Sequence, residues 1–190
     1  MGRMLMIMAA CLLAATPLTA QRGRCYKSLA EVTNADSVYR LDLSHKKLRS
    51  IPEQVLTMSN LRFLNLSYNR IDTLHEGLSN LKHLDTLNLG RNRLRNIPEW
   101  MGRMTSLTVL NLNRNPILEL PASMAALTNL KHLILWSTGV VSFPPEFAAL
   151  NYTLKEVDMR VCPMTYDDQE AVERILPSPR KRWDRVCNCK

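Results

Sequence analysis

The sequence predicts an α/β solenoid: a horseshoe segment with a parallel concave sheet, short helical or 3-10 segments on the convex side, and a helical cap at the C-terminal end. Three observations predict it. Units open at Val38, Leu61, Leu84, Leu107 and Leu130, each 23 residues after the last, and a sixth opens at Leu154 after 24. Within each unit the fourth and sixth positions are apolar: Leu41/Leu43, Leu64/Leu66, Leu87/Leu89, Leu110/Leu112, Leu133/Leu135 and Val157/Met159. The second half of the first five units carries a further apolar triplet at helical spacing, such as Ile97, Met101 and Met104. Self-similarity at this period marks stacked units, each too small to bury its own apolar side.

The unit beginning at Leu84 shows the local logic. Leu87 and Leu89 alternate with Thr86 and Asn88, so period two places the leucines inward and the polar residues outward. Stacking such segments builds a parallel sheet. The ninth position then turns the chain: Lys46, Asn69, Asn92, Asn115, Thr138 and Cys162. An asparagine amide there satisfies backbone groups that a buried turn leaves unpaired. Asn69, Asn92 and Asn115 thus form a structural ladder, continued by Thr138 and Cys162. Pro52, Pro98, Pro121 and Pro144 follow the first member of four convex triplets, a place suited to a helix's first turn, where the missing N–H goes unneeded. Met101, Met104 and Met124 belong to the triplets and read as core filler.

Six repeats cover 38–163: 38–60, 61–83, 84–106, 107–129, 130–153 and a partial 154–163. Residues 21–37 form an N-terminal cap, in which Ser28 starts a helical turn and Leu29 and Val32 pack on the first repeat. Residues 164–190 form a helical cap and a basic, cysteine-containing tail. Thr165 and Asp168 have capping-box spacing. Ala171, Val172, Ile175 and Leu176 make the apolar stripe, and Pro177 stops the helix.

Residues 1–20 read as a secretory signal: Arg3, an apolar run from Met4 to Ala15, Pro17, and cleavage after Ala20. A lipoprotein signal at Cys11 is a rival, with a short apolar run. The run is too short to span a membrane, and no later one is longer. Export to a periplasm or the exterior follows, and with it an oxidising compartment. Four cysteines then remain. Stacked strands about 4.8 Å apart keep Cys25 far from the others, whereas Cys162 shares the C-terminal end with Cys187 and Cys189. A disulfide from Cys162 to Cys187 or Cys189 is one expectation.

The run from Leu61 to Ile71, Leu-Arg-Phe-Leu-Asn-Leu-Ser-Tyr-Asn-Arg-Ile, resembles the leucine-rich repeat consensus without a gap. Val38 to Ser44 resembles the first repeat of short exported bacterial leucine-rich repeat proteins, and Met159 to Pro177 resembles their C-terminal cap. The resemblance covers about residues 26 to 178. It implies a binding module, and it implies that cysteine is acceptable at position 162. A buried reduced thiol therefore stands beside the disulfide as a reading of Cys162.

Catalysis is not expected. The four histidines fall at unrelated places in the repeat, and no His-Glu-x-x-His, Gly-x-Ser-x-Gly or phosphate-cradling glycine loop occurs. No cofactor is expected. Cys162 with Cys187 and Cys189 lacks a fourth metal ligand and a standard zinc spacing. The net charge of +8 is spread over the repeats and gives no reason for a nucleic-acid partner.

A protein or peptide partner is expected on the concave face. Most outward positions are polar, but Ile134 and Trp136 share one strand and Val109 adjoins them. Asn111, Asn113, Arg114 and Arg160 flank this patch. Aromatic and arginine side chains dominate interface energetics. The competing reading folds Trp136 over the final repeat. A second function reading is an envelope-associated structural or adhesion protein that contacts acidic surfaces through Arg180, Lys181, Arg182 and Arg185.

Overall fold

A computed structural model describes residues 23–183. The leader, Arg185, Cys187 and Cys189 lie outside the described residues. Eight strands form one parallel sheet in sequence order: β1 (Cys25–Tyr26), β2 (Arg40–Asp42), β3 (Phe63–Asn65), β4 (Thr86–Asn88), β5 (Val109–Asn111), β6 (His132–Ile134), β7 (Glu156–Asp158) and β8 (Arg180–Arg182). The chain is an α/β solenoid of leucine-rich repeat type.

The register follows the repeat. Leu41, Leu64, Leu87, Leu110, Leu133 and Val157 lie side by side at the strand centres, all fully buried. The apolar residue two positions on is buried as well, from Leu43 to Met159. Each central strand is only three residues long because the next turn must reverse the chain within a 23-residue unit.

The asparagine ladder performs that turn. Asn92 donates from Nδ2 to the Leu66 and Leu89 carbonyls at 2.9 Å each, and its Oδ1 accepts from Ile71 N–H at 3.0 Å. Asn69 bonds Leu43 and Leu66 in the same way and receives Lys46 and Leu48 N–H. Asn115 bonds Leu89 and Leu112 and receives Leu94 N–H. Thr138 has no amide, and its hydroxyl donates to Leu135 O at 2.7 Å. The Cys162 thiol points to the same carbonyl at 3.4 Å, beside the Thr138 hydroxyl at 3.6 Å. Among the described residues Cys25 and Cys162 form no disulfide, and Cys187 and Cys189, the partners expected for Cys162, lie outside them.

On the convex side only α1 (Glu53–Leu56) is an α-turn. The other four repeats use 3-10 turns at Glu76–Asn80, Glu99–Arg103, Ala122–Ala126 and Pro145–Leu150. Pro52, Pro98, Pro121 and Pro144 sit one residue earlier than first-turn placement: they are the N-caps, with extended ψ of 134° to 151°. The repeat without a proline caps its turn with His75, whose Nδ1 accepts Gly77 N–H at 3.0 Å.

The ends are closed differently. β1 adds Cys25 and Tyr26 beside Arg40 and Leu41, so a strand precedes the turn that Ser28 caps. Leu29 and Val32 pack against the core. At the far end α2 (Tyr166–Ile175) begins with a reciprocal capping box between Thr165 and Asp168 and buries Val172. Beyond it Arg180–Arg182 pairs with β7 as a further strand. Lys181 takes the inward place next to Val157. Its side chain is 5% exposed, and its Nζ lies 2.6 Å from Glu173 and 3.2 Å from the Pro177 carbonyl. Three of the four residues read as a basic tail are thus part of the sheet.

Candidate functional site: the C-terminal half of the concave face

The outward positions of the strands make two parallel rows. One runs Cys25, Arg40, Phe63, Thr86, Val109, His132, Glu156 and Arg180. The other runs Asp42, Asn65, Asn88, Asn111, Ile134, Asp158 and Arg182.

The second row carries a turn device. Side-chain oxygens of Asp42, Asn65, Asn88, Asn111 and Asp158 each accept the backbone N–H two residues on, at 2.9 to 3.3 Å. This satisfies the chain as it leaves the strand. Ile134 is the one member of the six repeats without an acceptor. An isoleucine therefore stands where the local backbone favours an oxygen, and with Val109 it lines a cavity of about 200 Å³. His132, Leu133, Glu156, Asp158 and Arg182 complete the lining.

Charge surrounds that apolar floor. Arg160 holds Asp158 through Nε and Nη2 at 2.9 and 2.7 Å. Arg182 lies 3.3 Å from Glu156, and His132 Nδ1 lies 3.9 Å from the same carboxylate. Burial raises the Asp158 pKa, but the hydrogen bonds from Arg160 and the positive charges of Arg160 and Arg182 outweigh it, holding the carboxyl below its usual range.

The rim where the chain turns is also built from side chains. His45, Tyr68, Arg91, Arg114, Ser137 and Val161 occupy one position of successive repeats, and all have φ between 50° and 59°. A left-handed backbone costs a non-glycine residue about 1–2 kcal/mol. His45, Tyr68, Arg91, Arg114 and Ser137 are tied down by N–H bonds to the next repeat, for example Arg114 N–H to Trp136 O at 3.0 Å. Their side chains stack. Tyr68 lies between His45, at 4.2 Å between ring centroids, and Arg91, at 4.6 Å. The Arg114 guanidinium lies 4.4 Å over the half-buried Trp136 ring.

Among the residues singled out from sequence, the structure brings Val109 and Ile134 into one cavity and sets Arg160 against its wall. Trp136 and Arg114 form a pair of their own, outside that cavity's lining. Asn111 spends its oxygen on the Asn113 N–H. The Asn113 side chain lies over Gly90, where a Cβ would collide with it. Sequence reasoning missed His132, Glu156 and Asp158, which stand in the same outward columns, and it read Arg182 as part of a basic tail instead of this site. The signal for Arg182 is weak, because a strand reading Arg-Lys-Arg has no apolar alternation. Among the described residues no cluster of three metal-ligating side chains occurs, and no helix is long and apolar enough to cross a membrane. The Cys25 thiol is pushed up by burial and by the Asp42 charge, the reverse of an activated nucleophile.

Comparison with known proteins agrees with the architecture. A leucine-rich repeat protein of Leptospira interrogans superposes with a TM-score of 0.57 at 22% identity, over 84% of this chain and 54% of that one. An internalin of Listeria monocytogenes superposes with a TM-score of 0.66 at 18% identity, over 84% of this chain and 47% of that one. The chain therefore spans about half the length of these two structures, and at such identity the likeness is one of fold. No curated protein sequence matches it. A profile described as "Leucine-rich repeat region" matches residues 31–176. With the repeat period, the ladder and the parallel sheet, that match places the chain in the leucine-rich repeat family.

Proposed function

We propose that this chain is an exported, non-enzymatic binding module that holds a protein or peptide on the C-terminal half of its concave face. One observation carries the reading. The turn-capping row is interrupted at Ile134, which lines an apolar-floored cavity with Val109, two residues before an arginine-capped tryptophan. A residue that gives up a backbone partner to expose an alkyl group suits recognition better than folding. The family is one of protein interaction modules, which supports the coarse statement. The leader at residues 1–20 supports export.

Trp136 is the anchor in this reading. Replacing it with alanine should weaken binding of the natural partner by about 2 kcal/mol, roughly thirtyfold, while the thermal midpoint stays within about 2 °C. Affinity and melting are measured on the same two proteins. A large drop in melting temperature would return Trp136 to a packing role.

The second reading, contact with acidic surfaces through the basic C-terminal end, rests on Arg180 and Arg182. Lys181 is committed to Glu173 and takes no part in it. Such contact fades steeply with ionic strength and is indifferent to Ile134→Asp and Trp136→Asp, whereas concave-face binding is lost in both variants.

A further inference from the structure

We infer that the segment held on this face is acidic and extended, and that it places one apolar side chain in the cavity between Val109 and Ile134. The inference rests on the binding reading above and adds the partner's chemistry. The two outward rows, with Arg91, Arg114 and Arg160 beyond them, carry six arginines: Arg40, Arg91, Arg114, Arg160, Arg180 and Arg182. They carry three carboxylates, Asp42, Glu156 and Asp158. The excess is three positive charges.

The carboxylates are also engaged. Asp42 accepts Ser44 N–H, Asp158 is held by Arg160, and Glu156 lies against Arg182 and His132. A cationic partner would meet guanidinium groups around the cavity and carboxylates already paired. An acidic partner meets Arg182 in the cavity lining and the exposed Arg180 beside Glu156. Guanidinium groups bind carboxylates through two parallel hydrogen bonds and give up their water readily.

The floor narrows the choice further. Val109 and Ile134 present hydrocarbon, and about 200 Å³ holds one side chain of leucine or phenylalanine size. A nucleic acid would need open aromatic faces, yet guanidinium groups lie over Phe63, Tyr68 and Trp136. A flat anionic bilayer has no means of filling a cavity on an inward-curving sheet. An extended acidic peptide with one buried apolar residue satisfies all three features.

The test uses the full chain and fluorescent, end-blocked peptides read by anisotropy. The probe is Glu-Asp-Leu-Asp-Glu, compared with an alanine-centred version and a version with lysine for every acid. The leucine probe should bind saturably. Alanine at the centre should weaken it about tenfold, and the lysine version should not bind. Ile134→Asp should reduce leucine-probe binding by a similar factor. So should Arg180→Glu, an exposed change that leaves the cavity floor intact. Melting curves identify any variant that fails to fold.

Equal binding of the lysine peptide would overturn the inference. So would indifference to both Ile134→Asp and Arg180→Glu, or no saturation of the leucine probe by about 1 mM. Binding to phosphatidylglycerol vesicles without peptide binding would overturn it in favour of a lipid surface. A natural partner lost on Ile134→Asp but carrying no acidic segment would overturn this inference and leave the binding reading standing.

Discussion

Asn92 shows how much a single amide does in this fold. Two carbonyls from adjacent repeats and one N–H converge on its buried side chain. Removing it takes one donor from each carbonyl, which keep the Asn69 and Asn115 amides, and strands the buried Ile71 N–H, at about 1–3 kcal/mol for an unpaired group in a closed core. Asn92→Ala should therefore destabilise the protein by on the order of 3 kcal/mol. Asn88→Ala, on the concave face, should do much less, because its one acceptor serves a half-exposed turn. Denaturant titration of the two variants checks the contrast, and equal losses would count against the ladder. This ladder is plain in the sequence because the residue recurs every 23 positions. Ile134 is legible only as a mismatch in an outward column. Its physical meaning appears once the oxygens of its column mates are seen capping turns. Trp136 was open between two readings on sequence grounds, because a ring's neighbour depends on tertiary placement. That neighbour is Arg114, one repeat earlier.

Strand β8 is the element that sequence patterning hides. Period two requires an apolar residue at position 181, and the chain has lysine there. The lysine is buried because Glu173 of α2 and the Pro177 carbonyl meet its ammonium, an arrangement no local pattern encodes. β1 is hidden for another reason, since two residues are too few to show alternation. The convex segments illustrate a third limit. Spacing of three and four is shared by α and 3-10 turns in such short pieces, and the tight repeat selects 3-10 in four of five.

The C-terminal strands should also respond to acid first. The Asp158 carboxyl is held below its ordinary range, so its contribution to stability is complete above the unfolded value of about 3.9 and is lost as pH falls through the folded value. Below about pH 4, the amides of Met159 and Arg180, which bond to the Arg182 and Lys155 carbonyls, should lose hydrogen-exchange protection before the strands β3 to β5. Asp158→Asn should remove this early step. Uniform loss along the sheet, or an unchanged profile in Asp158→Asn, would show that the carboxylate does not govern this end.

At the scale of the whole molecule, stacking turns a local repeat into a long surface. One column of side chains builds the core, one closes the turns, and the outward rows are left to the surface. The fold class follows from period alone, which is why it is so readable. The function proposed above resides in departures from the period, and these cluster at the C-terminal half: Ile134 in the turn-capping row, and Trp136 under Arg114. The measurement that tests this account most directly is partner capture from the source organism's envelope and culture fluid. The unaltered protein is compared with an Ile134→Asp/Trp136→Asp double variant that melts cooperatively. A partner held by the first and lost by the second is the predicted result. A partner held equally by both, or none held by either, would contradict it.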